Sequence, residues 1–436
     1  MTAPTRFPGI EGSCDMEAVD LKDRSTPSSV LPRGPGVVWF GISGFVNSTG
    51  TGFFHPFALL FFTELSGESL RSVGLVLTVT ALAVLPGLFA VGRLVDRLGP
   101  RFVLTAAAAL RAVAFAGFIS LRGLVPLVVC GLLLALGDRA ELAARPLMAI
   151  RLAPEGQRSQ WLALTRVVFN AGIGAGALFA SLFVVDTGSG FVILGAINAA
   201  SFVLAALLYL GIPASKTTEA AFIRPISSPR AAPWRHVAYL RVAGANSLLL
   251  TAAFAMETAL PVFILRELAM PPWIVGALFA VNTVLLALLQ LPMSRVLDRF
   301  RPPLVLALGG MSYVALYVAA LLAGGVPQGA QIALMVGGMA LYTLGELAVS
   351  QASLVMLTSL PPHGEQGAYL AFNQLFAGGA AAIAPLLVTA FLADWPAGLW
   401  WALAGVSVVA AILSLSRREE PRVSKEGRSH EPLGSA

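Results

Sequence analysis

The chain has 436 residues, 57% of them hydrophobic and 12% charged, with a formal net charge of +6 and a mean hydropathy of +0.79. Soluble domains carry about 25% charged residues, and disordered chains combine low hydrophobicity with high charge. The composition excludes both and leaves a polytopic membrane protein. Its arginines stand between apolar runs, which makes them topological charge rather than a nucleic-acid surface, so no nucleic-acid partner is expected.

Residues 1–36 are polar and Pro-rich with no short apolar core, so no signal peptide is expected there. Cys14 and Cys130 form no CxxC pair, and neither a disulfide framework, a metal centre nor a cofactor is expected. A helix needs about 20 apolar residues to cross a hydrocarbon core about 30 Å thick. Such runs fall at 37–63, 72–92, 102–121, 124–148, 161–185 and 190–212, then at 237–265, 272–294, 303–323, 330–357, 367–393 and 395–416. They are apolar all round and far longer than the alternating strands of a membrane barrel, about 10 residues each. The expected fold is therefore an all-α membrane protein with twelve transmembrane helices.

Basic residues cluster in alternate loops: Arg93, Arg97 and Arg101; Arg151 and Arg158; Lys216, Arg224, Arg230 and Arg235; Arg295, Arg299 and Arg301. The loops between them hold one apiece at most, Arg71, Arg122 and Arg266. By the positive-inside rule the basic side is cytoplasmic and so are both termini, in a cell membrane. The loop after span ten departs from the pattern, with His363 and Glu365 and no Lys or Arg. Residues 213–235 are rich in Pro, Ser and charge and read as a cytoplasmic linker. The expected layout is a tail at 1–36, a six-helix unit at 37–212, the linker, a second six-helix unit at 236–416, and a tail at 417–436.

The two units repeat. GRLVDRLGPR at 92–101 recurs as SRVLDRFRPP at 294–303, which pairs Asp96 with Asp298 and Arg97 with Arg299. Gly74 pairs with Gly276, Asn47-Ser48 with Asn246-Ser247, Leu136-Gly137 with Leu344-Gly345, and LALTR at 162–166 with LAFNQ at 370–374. Several matches in one order at near-constant separation indicate a duplicated bundle. Carriers built from such halves place their substrate where the halves meet, near the membrane midplane.

The segment from Gly92 to Arg101 can act mechanically: Gly92 and Gly99 allow close approach and a tight turn, and Asp96 can accept bonds from helix amides or arginine. It resembles the G-x-L-x-D-R-x-G-R-R signature of the major facilitator superfamily, with Pro100 where an arginine often stands. The resemblance spans nearly the whole membrane region. It implies two pseudo-symmetric six-helix bundles around a central cavity, alternating access, and a conformational latch at Gly92, Asp96, Arg97, Gly99 and Arg101, echoed by Asp298 and Arg299. Span four, ALGDRAELAARP, offers Arg139 where proton-coupled members often carry a mid-helix arginine, and Asn170, Gly172, Gly174 and Gly176 resemble the Gly-rich fifth helix of drug–proton antiporters, without its Gly-Pro pair.

Ionisable groups inside a span cost about 2.5–3.5 kcal/mol each on insertion scales and tend to face a cavity. Asp138, Glu141 and Arg145 share one helix face by their i, i+3 and i, i+4 spacing, with Arg139 rotated beside them. Two readings stand: a protonatable carboxylate beside a tuning cation, or an ion-pair ladder between helices. Glu346 occupies the repeat position of Asp138 without a basic neighbour, and Glu257 is similarly isolated. Asp138, Arg139, Glu257 and Glu346 are thus the expected proton-coupling residues, Glu346 alternatively pairing with Arg139 or Arg166. Arg166 either neutralises Asp138 or Glu141 or binds an anionic substrate. Asn47, His55, Asn246, Asn373 and Gln374 offer hydrogen bonds to a substrate or between helices. Phe53, Phe54, Tyr342 and Phe372 either line an apolar pocket or pack. Arg111, mid-span, needs a partner that the sequence does not name.

The functional expectation is a proton-driven exporter of small amphipathic organic molecules, resembling bacterial multidrug or natural-product exporters, with small-molecule substrate, protons and the lipid bilayer as partners. Because one chain holds both halves, a monomer suffices. Uptake of a sugar, acid or peptide is the alternative transport reading; a receptor or an enzyme on the same fold is a third. His55, His236, His363 and His430 are scattered and no HExxH, GxSxG or paired Cys occurs, so no enzymatic centre is expected; without a P-loop, ATP-driven pumping is not expected either.

Overall fold

The computed structural model describes residues 36–154, 157–183, 189–212, 233–362 and 366–416. The tails, linker residues 213–232 and the pair His363 and Glu365 lie outside them, as does the Asp96 side chain. Among the described residues the regular elements are all helices. In chain order they are α1 (Val37–Phe54), α2 (Ala58–Ser66), α3 (Leu70–Val84), α4 (Leu88–Leu98), α5 (Pro100–Ser120), α6 (Leu124–Leu152) and α7 (Arg158–Phe183). There follow α8 (Ser189–Gly211), α9 (Val237–Val262), α10 (Trp273–Leu297), α11 (Pro302–Ala323), α12 (Gln328–Ser359), α13 (Gln366–Leu392) and α14 (Pro396–Leu415).

Ten stretches among the described residues are long and apolar enough to cross a membrane by length and composition. They coincide with the expected spans two, three and five to twelve. At the places of spans one and four the chain is helical as well, but more polar. Span one is divided into α1 and α2 by a tight turn at His55–Phe57, because Pro56 has no N–H to continue the ladder. Span four is α6, whose 29 residues extend about 44 Å and carry Asp138, Arg139, Glu141 and Arg145. A second turn, Leu85–Gly87 around Pro86, divides span two into α3 and α4. Both breaks correct the continuous spans drawn from hydropathy.

The motif after span two also differs from its expected form. Helix α4 runs on to Leu98, so most of the motif is helix. Gly92 lies inside it with open space where a Cβ would stand, so no close approach depends on it. The turn is made by Gly99, whose φ of +82° is left-handed, and Pro100 then opens α5 at its first turn.

The packing follows the repeat. Helix α1 packs on α7 and α8, as α9 packs on α13 and α14; α5 packs on α6 and α8, as α11 packs on α12 and α14; α3 packs on α6, as α10 packs on α12. Between the halves α3 meets α13 and α7 meets α10, again a repeat-related pair. These crossings are close. A Cβ placed on Gly74 of α3 would lie 2.6 Å from Thr389 Cγ2 of α13, and one on Gly276 of α10 would lie 2.9 Å from Ser181 Cβ of α7. All four residues stand toward the side opposite the basic loops. There two ion pairs also join the halves: Arg71 with Asp394, and Arg266 Nη2 with Glu64 Oε1 at 3.4 Å. No ion pair between described residues joins the halves on the basic side.

Candidate functional site

The N-terminal half contains a buried charged cluster built from three helices. Arg111 of α5 is only 1% exposed. It can lie flat along α6 because residue 137 is glycine: a Cβ there would stand 2.7 Å from Arg111 Cγ. Its Nη2 donates to Asn47 Oδ1 of α1 at 2.6 Å and its Nη1 to Asp138 Oδ1 of α6 at 3.3 Å. Glu141 Oε2 lies 4.0 Å from Nη2. Asn47 Nδ2 in turn donates to Glu141 Oε1 at 3.1 Å, and Arg145, one turn on, pairs with Glu141. The guanidinium of Arg111 sits 4.4 Å from the Phe202 ring centroid of α8, and that of Arg145 sits 4.7 Å from the Phe169 ring centroid of α7, a favourable placement of cation on ring face.

Within this cluster the two carboxylates differ. Glu141 is buried, whereas the Asp138 side chain is 51% exposed. Arg139 points toward the second half: its Nη1 would lie 3.8 Å from a Cβ on Gly378 of α13. This turn of α6 therefore reaches the second half through Arg139, with His55 and Arg139 within electrostatic reach of the Asp138 carboxylate.

The C-terminal half holds a different site at the repeat positions. Glu346 of α12 accepts a bond from Asn282 Nδ2 of α10 at 2.9 Å, and Asn282 also reaches Thr343 Oγ1 at 3.0 Å. Glu257 of α9 is within electrostatic reach of Glu346, and so is the Tyr313 hydroxyl of α11. Tyr313 and Tyr342 are both buried and stacked, with ring centroids 4.4 Å apart. Gly345 plays the part of Gly137: a Cβ there would meet Gly309 O at 2.5 Å and Tyr313 Cδ1 at 3.1 Å.

Several expectations are corrected here. The partners of Asp138 and Glu141 are Arg111 and Arg145, not Arg166, which is exposed and makes no ion pair with a described residue. Glu346 is bonded by Asn282 rather than by Arg139 or Arg166. Phe54 packs edge-on against Phe61, Phe62 and Phe115, Phe372 packs on Phe376, and Tyr342 stacks on Tyr313. Asn47, Asn246 and Asn373 are buried, while His55 and Gln374 are exposed. Among the latch residues, Arg101 donates to the Leu210 carbonyl of its own half, and Asp298 accepts from Gln351 Nε2 at 3.2 Å, also within its half. Arg97 and Arg299 are exposed. Sequence reasoning missed Asn282 and Tyr313. Applying the separation of Gly74 and Gly276 to Arg111 leads to Tyr313.

An all-helical membrane chain whose two halves share one packing plan, with ionisable side chains between them, has the build of a solute carrier. A family model described as the Major Facilitator Superfamily matches residues 40–271 and 242–435. The chain belongs to the major facilitator superfamily, and so to multi-pass membrane transporters rather than enzymes. It is 23% identical over 359 residues to the uncharacterized MFS-type transporter YttB of Bacillus subtilis (strain 168), covering 82% of this chain and 87% of that protein. The nucleoside transporter NupG has a similar structure, with a TM-score of 0.71 at 16% identity over 86% of this chain and 97% of that one. So has the peptide transporter POT in complex with sulfate, with a TM-score of 0.69 at 15% identity over 88% and 96%. At such identities these two likenesses concern the fold alone.

Proposed function

We propose that the protein exports small amphipathic organic molecules in exchange for protons. The observation that carries this reading is the Asp138 carboxylate, half exposed yet bonded to the buried Arg111, on the turn of α6 that reaches the second half through Arg139. A carboxylate so placed can meet water and change its charge there. The units 37–212 and 236–416 would move as two bodies about the crossings of α3 with α13 and α7 with α10. The basic side faces the cytoplasm with both termini, and a single chain is the working unit. Contacts near Gly74, Gly276, Arg71 and Arg266 close the opposite, outer side in this state. Substrate then enters from the cytoplasm while Asp138 is ionised, and leaves outward as Asp138 takes up a proton.

Glu257 and Glu346 give the second wall an acidic character, and the aromatic and aliphatic surroundings suit an apolar body on a cationic or polar head. The reading predicts that purified protein in liposomes under an inward proton gradient moves protons when a lipophilic cation is added on the substrate side, as reported by a pH-sensitive dye. Proton movement evoked only by nucleosides, peptides or sugars, and in the same direction as the solute, would establish uptake instead. That second reading draws on the likeness to nucleoside and peptide transporters.

A further inference from the structure

Arg111 links three helices while only one of its carboxylate neighbours is open to water. We propose that Arg111 is the positioning residue that sets the proton affinity of Asp138, within a fixed frame made by Glu141, Asn47 and Arg145. This inference rests on the proton-coupled reading and names the device within it.

The argument is one of charge and access. Two guanidiniums, Arg111 and Arg145, face two carboxylates, Asp138 and Glu141. Glu141 is buried and held by Arg145, by Asn47 Nδ2 at 3.1 Å and by Arg111 at 4.0 Å. Asp138 has one direct ionic bond, to Arg111 Nη1 at 3.3 Å, and is the member water can reach. A proton arriving from hydronium therefore adds to an Asp138 oxygen and leaves water behind. The neutral carboxyl no longer balances Arg111, which keeps its bond to Asn47 Oδ1 and its attraction to Glu141. Loss of the proton to water reverses the change. Arg111 cannot withdraw, because the Phe202 ring lies against its guanidinium and α6 passes close at Gly137.

The other groups facing this pair are few. His55, at the turn after α1, and Arg139, on α6 itself, act on Asp138. Tyr209 of α8 acts on Arg111 and Arg145. Among the described residues, no ion pair or hydrogen bond from α3, α4 or α7 reaches Asp138.

The test is an infrared titration of the full chain purified in detergent, without substrate or gradient. The carboxyl stretch of protonated Asp138 is identified by its loss in Asp138→Asn. Its pH midpoint is then followed in Arg111→Gln, Arg111→Lys and Glu141→Gln. The inference predicts that Arg111→Gln moves the midpoint upward by at least about one pH unit, a tenfold change in proton affinity. Arg111→Lys, which keeps the charge and loses the fork, should move it upward by less. Glu141→Gln should move it downward, since Arg111 then serves Asp138 alone. If Arg111→Gln fails to fold, the Lys and Glu141 variants decide. A folded Arg111 variant with an unmoved midpoint, or an unmoved midpoint in Glu141→Gln, would overturn the inference. A wild-type Asp138 with no titrating band would instead sink the proton-coupled reading on which it rests.

Discussion

The two halves place the same backbone around opposite chemistry. In each, a glycine on the fourth span of the half, Gly137 of α6 or Gly345 of α12, lets the third span, α5 or α11, pass within contact, and the next residue is an acid, Asp138 or Glu346. The repeat-related side chains beside that glycine are Arg111 in the first half and, next to Ser312, Tyr313 in the second. One acid is therefore ion-paired with a buried guanidinium, the other hydrogen-bonded to the neutral Asn282. Duplication has kept what the packing needs and let the charge diverge, so helix contacts are symmetric while the partners of the two acids are not.

The contrast breaks most clearly at the two repeat-related side chains. Arg111→Met leaves Glu141 to Arg145 and Asp138 to water; because Asp138 is half exposed, the loss falls below the ~3–5 kcal/mol of a fully buried pair, at about 2–3 kcal/mol. Tyr313→Phe removes one hydroxyl and should cost about 0.5–1.5 kcal/mol. Thermal unfolding in detergent should show a large drop for the first and a small one for the second; equal drops would erase the distinction between the halves.

The crossings between halves should behave alike, because there the symmetry holds. Gly74→Val and Gly276→Val each force a side chain into Thr389 or Ser181, and overpacking costs about 1–3 kcal/mol. The state closed on that side should be disfavoured in both. A cysteine-labelling assay of positions on the side of these crossings should find more access in each variant than in the wild type; unchanged access in both would mean that these crossings do not close the path.

The smallest effect is expected at the ion pairs on that side. Arg71 and Asp394 are 61% and 65% exposed, and such pairs are worth about 0–1 kcal/mol. A double-mutant cycle on Arg71→Ala and Asp394→Ala should give a coupling in that range that shrinks with salt. The less exposed pair of Glu64 and Arg266 should couple more strongly. A reversed order would show that exposure does not govern these contacts.

Much of this was legible in the sequence because it is periodic or local. Apolar run length located the helices, and the i, i+3 spacing put Asp138 and Glu141 on one face, where both meet Arg111. The matched Gly74 and Gly276 marked the repeat, while their place at the crossings between the halves came only with the structure. What escaped depends on contacts between distant residues. Arg111 and Asn47 are 64 positions apart, and nothing local assigns one to the other. Asn282 is a single amide in an apolar run, with no spacing that announces Glu346 as its partner. The breaks at Pro56 and Pro86 were visible as prolines, yet hydropathy alone runs through them. The motif was recognised for its residues, while its helical form depends on α4 continuing across Gly92.

The most direct measurement compares Asp138→Asn with Glu346→Gln in liposomes under an inward proton gradient, recording proton flux evoked by a lipophilic cation. The account predicts that Asp138→Asn falls to the level of empty vesicles, while Glu346→Gln, still able to accept from Asn282, keeps a measurable flux. Full flux in Asp138→Asn, with the protein shown to be folded, would contradict it.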